Sequence, residues 1–237
     1  MPGSLKSPPL PAASAIHLRP TAPLSERVLL PGDPGRALAL AQSLLEEPRM
    51  FNHHRGLWGY TGEAADGRPL TIQATGMGGP SAAIVLSELI ALGARRAIRV
   101  GTCGALAPDL QLGEVVIAEE AICGDGTSRA LGAGERASPH EELTAALRRH
   151  APAARAGAVM SVDLFYGPLD RDAGALAVEM EAAALFAVGA RSSAQVGCLL
   201  AVSDTFDAGG ERHRIDDGAL LAAAERMGAV AVAALGE

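Results

Sequence analysis

The chain has 237 residues and a formal charge of −7. That is enough length for one sizeable core, and the wrong sign for a nucleic-acid or anionic-membrane partner, both of which need a basic field. Hydrophobic residues make up 49% and aromatics only 3%, so the core has to be built from Ala, Leu and Val. In chain order, the start carries Pro2, Pro8, Pro9 and Pro11 and lacks the apolar stretch of a secretory signal; residues 1–15 read as a flexible tail ahead of a single domain over 16–237. Arg27-Val28-Leu29-Leu30 reads as a short buried strand. Asp33 and Pro34 then open a helix to about Leu45, as N-cap and first helical residue. Residues 57–63 and 69–74 read as strands joined by a turn at Asp66-Gly67. Gly76–Gly79 is a loop, and Pro80 opens a helix to about Leu92. Strands follow over Ala97–Val100 and Val115–Ala118, then a Gly/Ser-rich loop over 124–138 and a helix over 139–150. A strand at Gly157–Met160, a helix from Met180 to Val188, a strand at Leu199–Ser203 and an Ala-rich helix over about 217–235 complete the chain.

This alternation predicts an α/β fold, one domain with a central mixed sheet flanked by helices. In such sheets ligands collect at the carboxyl ends of strands, where the glycine-rich segments after residues 30, 74 and 100 fall. No run approaches the ~18 apolar residues of a membrane span. Cys103, Cys123 and Cys198 are scattered and unpaired in spacing, as reduced thiols of a cytoplasmic protein would be. The six histidines show no H-E-x-x-H or H-x-H spacing, so no metal is expected. Lys6 is the only lysine among 20 basic residues, which disfavours Schiff-base chemistry and a lysine-bearing phosphate loop. With arginine in place of lysine throughout, an arginine taken alone says little.

Four segments present chemistry. Arg99-Val100-Gly101-Thr102-Cys103-Gly104 delivers a guanidinium from a strand, followed by small residues whose N–H groups and hydroxyl suit a tetrahedral oxyanion; a plain strand-to-loop turn is the alternative. Gly32-Asp33-Pro34-Gly35-Arg36 places an arginine where the helix dipole favours an anion, against the simpler reading of a well-capped helix with a solvated Arg36. Glu179-Met180-Glu181 brings two carboxylates into an apolar stretch, where they are costly unless partnered; a sugar diol could satisfy one, or both could sit exposed on a helix edge. Ser203-Asp204 ends an apolar run and presents an acid at a strand end, or serves as an ordinary turn.

Together with Asn52-His53-His54-Arg55-Gly56 and the Gly76-Met77-Gly78 loop, these segments resemble the nucleoside phosphorylase family of hexameric bacterial purine nucleoside phosphorylases and uridine phosphorylases, from about His17 to the C-terminal helix. The resemblance implies phosphorolysis of purine nucleosides, with phosphate as co-substrate and no cofactor. It implies that Gly32, Arg36, Arg99 and Thr102 hold phosphate, joined by Arg55 of a neighbouring subunit. Glu181 would bind the ribose 2′- and 3′-hydroxyls, Met180 would pack on the sugar, and a neighbour's His17 would meet the 5′-hydroxyl. Phe165, Cys103, Gly104, Glu179 and Ser203 would line the base site. Asp204 would act as general acid at purine N7, assisted by Arg212 or its rival Arg214. A homo-oligomer follows, a hexamer built from dimers. The stretch between Tyr166 and Val178 is about half a dozen residues shorter than the family pattern, and it borders the base site.

Rival readings are a nucleosidase of the same superfamily that uses water, a uridine phosphorylase, and a non-catalytic nucleoside-binding protein. The three arginines together favour phosphate over water. Asp204, and the lack of an apparent glutamine–arginine pair for uracil, favour purines. A proton donor is also superfluous for mere binding.

Overall fold

The computed structural model describes residues 15–168, 174–207 and 209–237. The first 14 residues of the expected tail, and part of the shortened stretch after Tyr166, lie outside them. The apolar run Arg27–Leu30 is β1, buried at every position because it is covered on both faces, as parallel strands are. It leads into α1 (Pro34–Leu44), whose N-cap Asp33 accepts a 2.7 Å hydrogen bond from the Arg36 N–H. The chain continues through β2 (Leu45–Asn52), β3 (Gly59–Ala64), β4 (Pro69–Gln73), α2 (Gly79–Leu92), β5 (Arg96–Ala105) and β6 (Val115–Cys123). After α3 (Gly126–Ala130), β7 (Arg136–Ala137), α4 (Glu141–His150) and β8 (Arg155–Ser161) come β9 (Ala177–Glu179), α5 (Ala182–Ser192), β10 (Gln195–Phe206), β11 (Arg212–Arg214) and α6 (Asp217–Gly236).

All strands among the described residues join one mixed sheet. β1 lies parallel between β4 and β5, with Leu30 opposite Arg99. β10 runs parallel to β5 and antiparallel to β6. β6, β8 and β9 pair in turn, and β9 returns to β5 at Gly104 and Ala105. Strands β5, β10, β6, β8 and β9 thereby close a ring, at whose rim β5 and β10 project beyond β1. Period-two alternation divides the core. Val28, Leu30, Leu200 and Val202 face a cluster with α2 and α5, and Leu29, Ile98, Leu199 and Ala201 face one with α1, α4 and α6.

Several expectations need correction. The strand of Arg99 does not stop at Val100; it runs to Ala105, since β10 and then β9 continue to pair with it. The 124–138 segment contains α3 and β7 rather than loop alone. β2, β9 and β11 were not anticipated. The helix of the Glu-Met-Glu segment starts at Ala182, after Glu179 has ended a strand. Contrary to the reading that no run approaches a membrane span, α6 is long and apolar enough by length and composition. It is a core helix here, with Ala224, Met227, Ala231 and Leu235 buried against α1 and α4.

Candidate active site

The carboxyl ends of β1, β4, β5 and β10 surround a cavity of about 780 Å³, within the roughly 300–1,000 Å³ usual for small-molecule sites. Gly32 and Arg36 enter it from the β1–α1 junction, Arg99, Thr102, Cys103 and Gly104 from β5, and Glu179, Met180 and Glu181 from β9 and the start of α5. Sequence-distant segments meet here because parallel strands all end on the same side.

At the inner end, the Arg99 guanidinium is held by two carboxylates. Its Nε donates to Glu179 Oε2 at 3.0 Å, and Nη2 pairs with Glu181 Oε2 at 2.5 Å. Its Nη1 is buried with no partner, and so is Nη1 of Arg36. Burial, and then repulsion by Arg99, hold the Arg36 guanidinium below its ordinary value. Burial would lower Arg99 too, but the Glu181 and Glu179 carboxylates outweigh it and raise it. Two cations are thus pressed together, each with an unused buried donor, although buried donors are otherwise almost always paired. A dianion between them would relieve both defects.

Glu181 has its other oxygen, Oε1, on the Gly78 N–H at 2.5 Å. Gly78 has φ +89°, a conformation that strains any residue with a Cβ. The arrangement ties the Gly76–Gly79 loop to the site.

Glu179, expected at the base, is engaged by the protein itself. Its carboxylate accepts from Arg99, from the Ser161 hydroxyl, and from the N–H groups of Glu181 and Ala182 at 2.9–3.0 Å. With the side chain fully buried and both oxygens occupied, it anchors Arg99 and caps α5, leaving no free lone pair aimed at a ligand. Ser161 shares that task by accepting from the Ala183 N–H. Sequence reasoning missed Ser161, a lone serine at a strand end.

The outer end holds Asp204. A β-bulge separates the pairings of Val202 and Asp204 with β5, re-aiming both side chains as bulges do. Ser203 Oγ donates to Asp204 Oδ2 at 2.6 Å. Asp204 Oδ1 is buried without a hydrogen-bond donor, with Arg214 Nε 3.5 Å away at ion-pair distance. Arg214, not Arg212, is the arginine beside this acid. In the β10–β11 hairpin Asp204 lies opposite Arg214, whereas Arg212 lies opposite Phe206. Arg212 instead stacks on Phe165 at 4.3 Å and on Phe206 at 5.4 Å from the ring centres, a cation–π contact. Phe206 also lines the cavity and was overlooked; its only signal was an aromatic residue two positions beyond Asp204.

A family profile described as the phosphorylase superfamily matches residues 26–236. The chain belongs to the phosphorylase superfamily. Similar curated relatives include DeoD-type purine nucleoside phosphorylases of Alkaliphilus metalliredigens, 36% identical over 79% of this chain and 86% of that one, and of Clostridium beijerinckii, 36% identical over 82% and 88%. Among solved structures, uridine phosphorylase from Vibrio fischeri superposes with a TM-score of 0.79 at 26% identity, covering 90% of this chain and 92% of that one.

Two residues tied by resemblance to this superfamily's site, His17 and Arg55, do not line the cavity of their own chain. Arg55 is exposed at φ +60° in a single 3₁₀ turn, His54–Gly56. His17 is held on α2. The other site residues named from the sequence do line it.

Whether an anion binds at Arg99 can be probed at Gly101. A Cβ there would come within 2.5 Å of Arg99 Cζ, so Gly101→Ala must push the guanidinium aside. Phosphate should raise the melting midpoint of the wild type in proportion to binding, and Gly101→Ala should lose most of that rise. Calorimetry with and without phosphate checks this, and an undiminished rise in the variant would remove Arg99 from the anion site.

Proposed function

We propose that the protein is a purine nucleoside phosphorylase, converting a purine (deoxy)ribonucleoside and inorganic phosphate into the free base and (deoxy)ribose 1-phosphate. The observation that carries this reading is the pair of buried, unpartnered Nη1 atoms of Arg36 and Arg99 in the cavity that also holds Glu181. A water-using nucleosidase has no need for two converging guanidinium groups, whereas a tetrahedral dianion matches their forks.

In this reading phosphate sits between Arg36, Arg99, Gly32 and Thr102. Glu181 receives the two sugar hydroxyls, with Met180 against the sugar. The C1′–N9 bond lengthens first, leaving an oxocarbenium-like sugar. The adjacent phosphate stabilises that charge, and one of its oxygens forms the new bond to C1′. The electron pair of the broken bond leaves with the base, and the proton that neutralises it at N7 comes from Asp204 as general acid. Cys103, Gly104, Phe165 and Ser203 border the base, with Arg212 bracing Phe165 and Arg214 facing Asp204. Arg55 and His17 act in a neighbour's cavity, which calls for a homo-oligomer, a hexamer as trimer of dimers.

The test is an activity panel over adenosine, inosine, guanosine, uridine and methylthioadenosine with and without phosphate. Purine nucleosides should turn over only with phosphate and yield the sugar 1-phosphate. Full turnover in its absence would sink the phosphorylase reading, and uridine as the best substrate would sink the purine one.

A further inference from the structure

Outside the cavity, the buried carboxylate of Glu88 has no part in the mechanism above. Glu88 lies on α2 and is 4% exposed. It accepts hydrogen bonds from three successive backbone N–H groups, those of Ile16 at 3.1 Å, His17 at 3.0 Å and Leu18 at 2.7 Å, and it meets His17 Nδ1 at 2.7 Å. Burial would push the Glu88 carboxyl up, but the bonds from Leu18 and His17 prevail and hold it below the ordinary range. A helix needs no carboxylate at such a position, and a buried one is costly without partners. Among the described residues, each of its hydrogen-bond partners belongs to the segment carrying His17.

The geometry points to Glu88 as a positioning residue that fixes the orientation and tautomer of His17 for contact with the 5′-hydroxyl in a neighbouring subunit's cavity. An ionised carboxylate only accepts, so Nδ1 must carry the hydrogen, and in the neutral ring Nε2 is left as the acceptor on the outward side. This is how a carboxylate behind an imidazole sets which nitrogen faces a ligand. A second link binds the same segment to Arg55. His54 Nδ1 lies 2.9 Å from the His17 carbonyl oxygen, and Asn52 Oδ1 accepts from the Arg19 N–H at 2.9 Å. The segment carrying His17 and the turn that carries Arg55 are therefore one unit, delivering a phosphate ligand and a sugar ligand together.

The inference rests on the proposed role of His17, so the test separates the two. Turnover of inosine and of 5′-deoxyinosine is compared in the wild type, His17→Ala, Glu88→Ala and the double variant. Loss of one hydrogen bond to a neutral hydroxyl is worth about tenfold. Both single variants should lose about that much kcat/KM on inosine and keep the 5′-deoxy substrate near the wild-type value. The double variant should be no worse than either single one, as for groups acting through one contact. Equal loss on both substrates in Glu88→Ala, or additive losses in the double variant, would overturn the positioning role while leaving that of His17. No discrimination in His17→Ala would overturn both. Should Glu88→Ala fail to fold, Glu88→Gln replaces it. Its amide no longer obliges Nδ1 to carry the hydrogen and so releases the tautomer that the carboxylate fixes; the ratio between the two substrates should therefore shift, and an unchanged ratio would refute the inference.

Discussion

Replacing Arg99 by Met should cost the protein about 10³-fold in kcat/KM for phosphate and ~3–5 kcal/mol of stability in one step. The two losses have different causes. Activity falls because the unused Nη1 that would meet the phosphate is gone, and with it half of the guanidinium pair formed with Arg36. Stability falls because Glu179 and Glu181, both buried, lose the cation between them. Removing one partner of a buried ion cluster leaves an uncompensated charge, which is far worse than removing the cluster. Denaturant unfolding and steady-state kinetics on the same preparation check both arms. Adding Glu181→Gln to Arg99→Met should restore part of the stability and none of the activity. A double variant as unstable as the single one would mean that Glu181 does not feel Arg99 in the folded protein. Near-normal phosphate dependence in Arg99→Met would remove Arg99 from the phosphate site.

Asp204→Asn should lower kcat on inosine by about 10²–10⁴-fold, the usual contribution of a positioned general acid, with little change in fold. Ser203 already donates to Asp204 Oδ2, and an asparagine can keep that oxygen as its carbonyl; at Oδ1 it gives up only the long 3.5 Å ion pair with the mostly exposed Arg214, which is worth little. The substitution removes a transferable proton and preserves shape. A 7-methylated purine nucleoside provides the internal control, because its base departs neutral and needs no proton at N7. Its turnover should stay within a few-fold of the wild type, since the interactions of the phosphate and the sugar are untouched. If both substrates fall together, Asp204 holds the base or the hairpin rather than supplying the proton. If neither falls, the acid lies elsewhere in the cavity.

Much of this site could be read along the chain because its parts are local. Asp33 and Pro34 mark the helix start whatever surrounds them, so Gly32 and Arg36 were placed from residue types alone, and Asp33 does cap α1. The apolar runs at 27–30 and 199–203 are strands in any context where both faces are covered. β2 was not legible, since five of its consecutive positions are exposed and include Pro48 and two glutamates. Its strand conformation comes from antiparallel pairing with β3, a long-range cause without a local pattern. β9 and β11 are three residues each, too short for any period to show.

The arginines illustrate the same division. Residue type and spacing put Arg36 at a helix start and Arg99 at a strand end, positions open to an anion or to an ordinary surface arginine alike. Only the tertiary structure decided that their Nη1 atoms are buried and unpaired together, because that depends on how deep β5 and α1 pack. Only it showed the Glu179 carboxylate saturated by Arg99, Ser161 and the N–H groups that follow it, since that depends on three separate segments meeting. It also exchanged Arg212 for Arg214 beside Asp204. The two arginines are two residues apart and point to the same face of β11, so composition cannot separate them. Strand register does: one two-residue step along the hairpin puts Arg214 opposite the acid and Arg212 opposite Phe206, and register is set by the pairing of whole strands rather than by either residue.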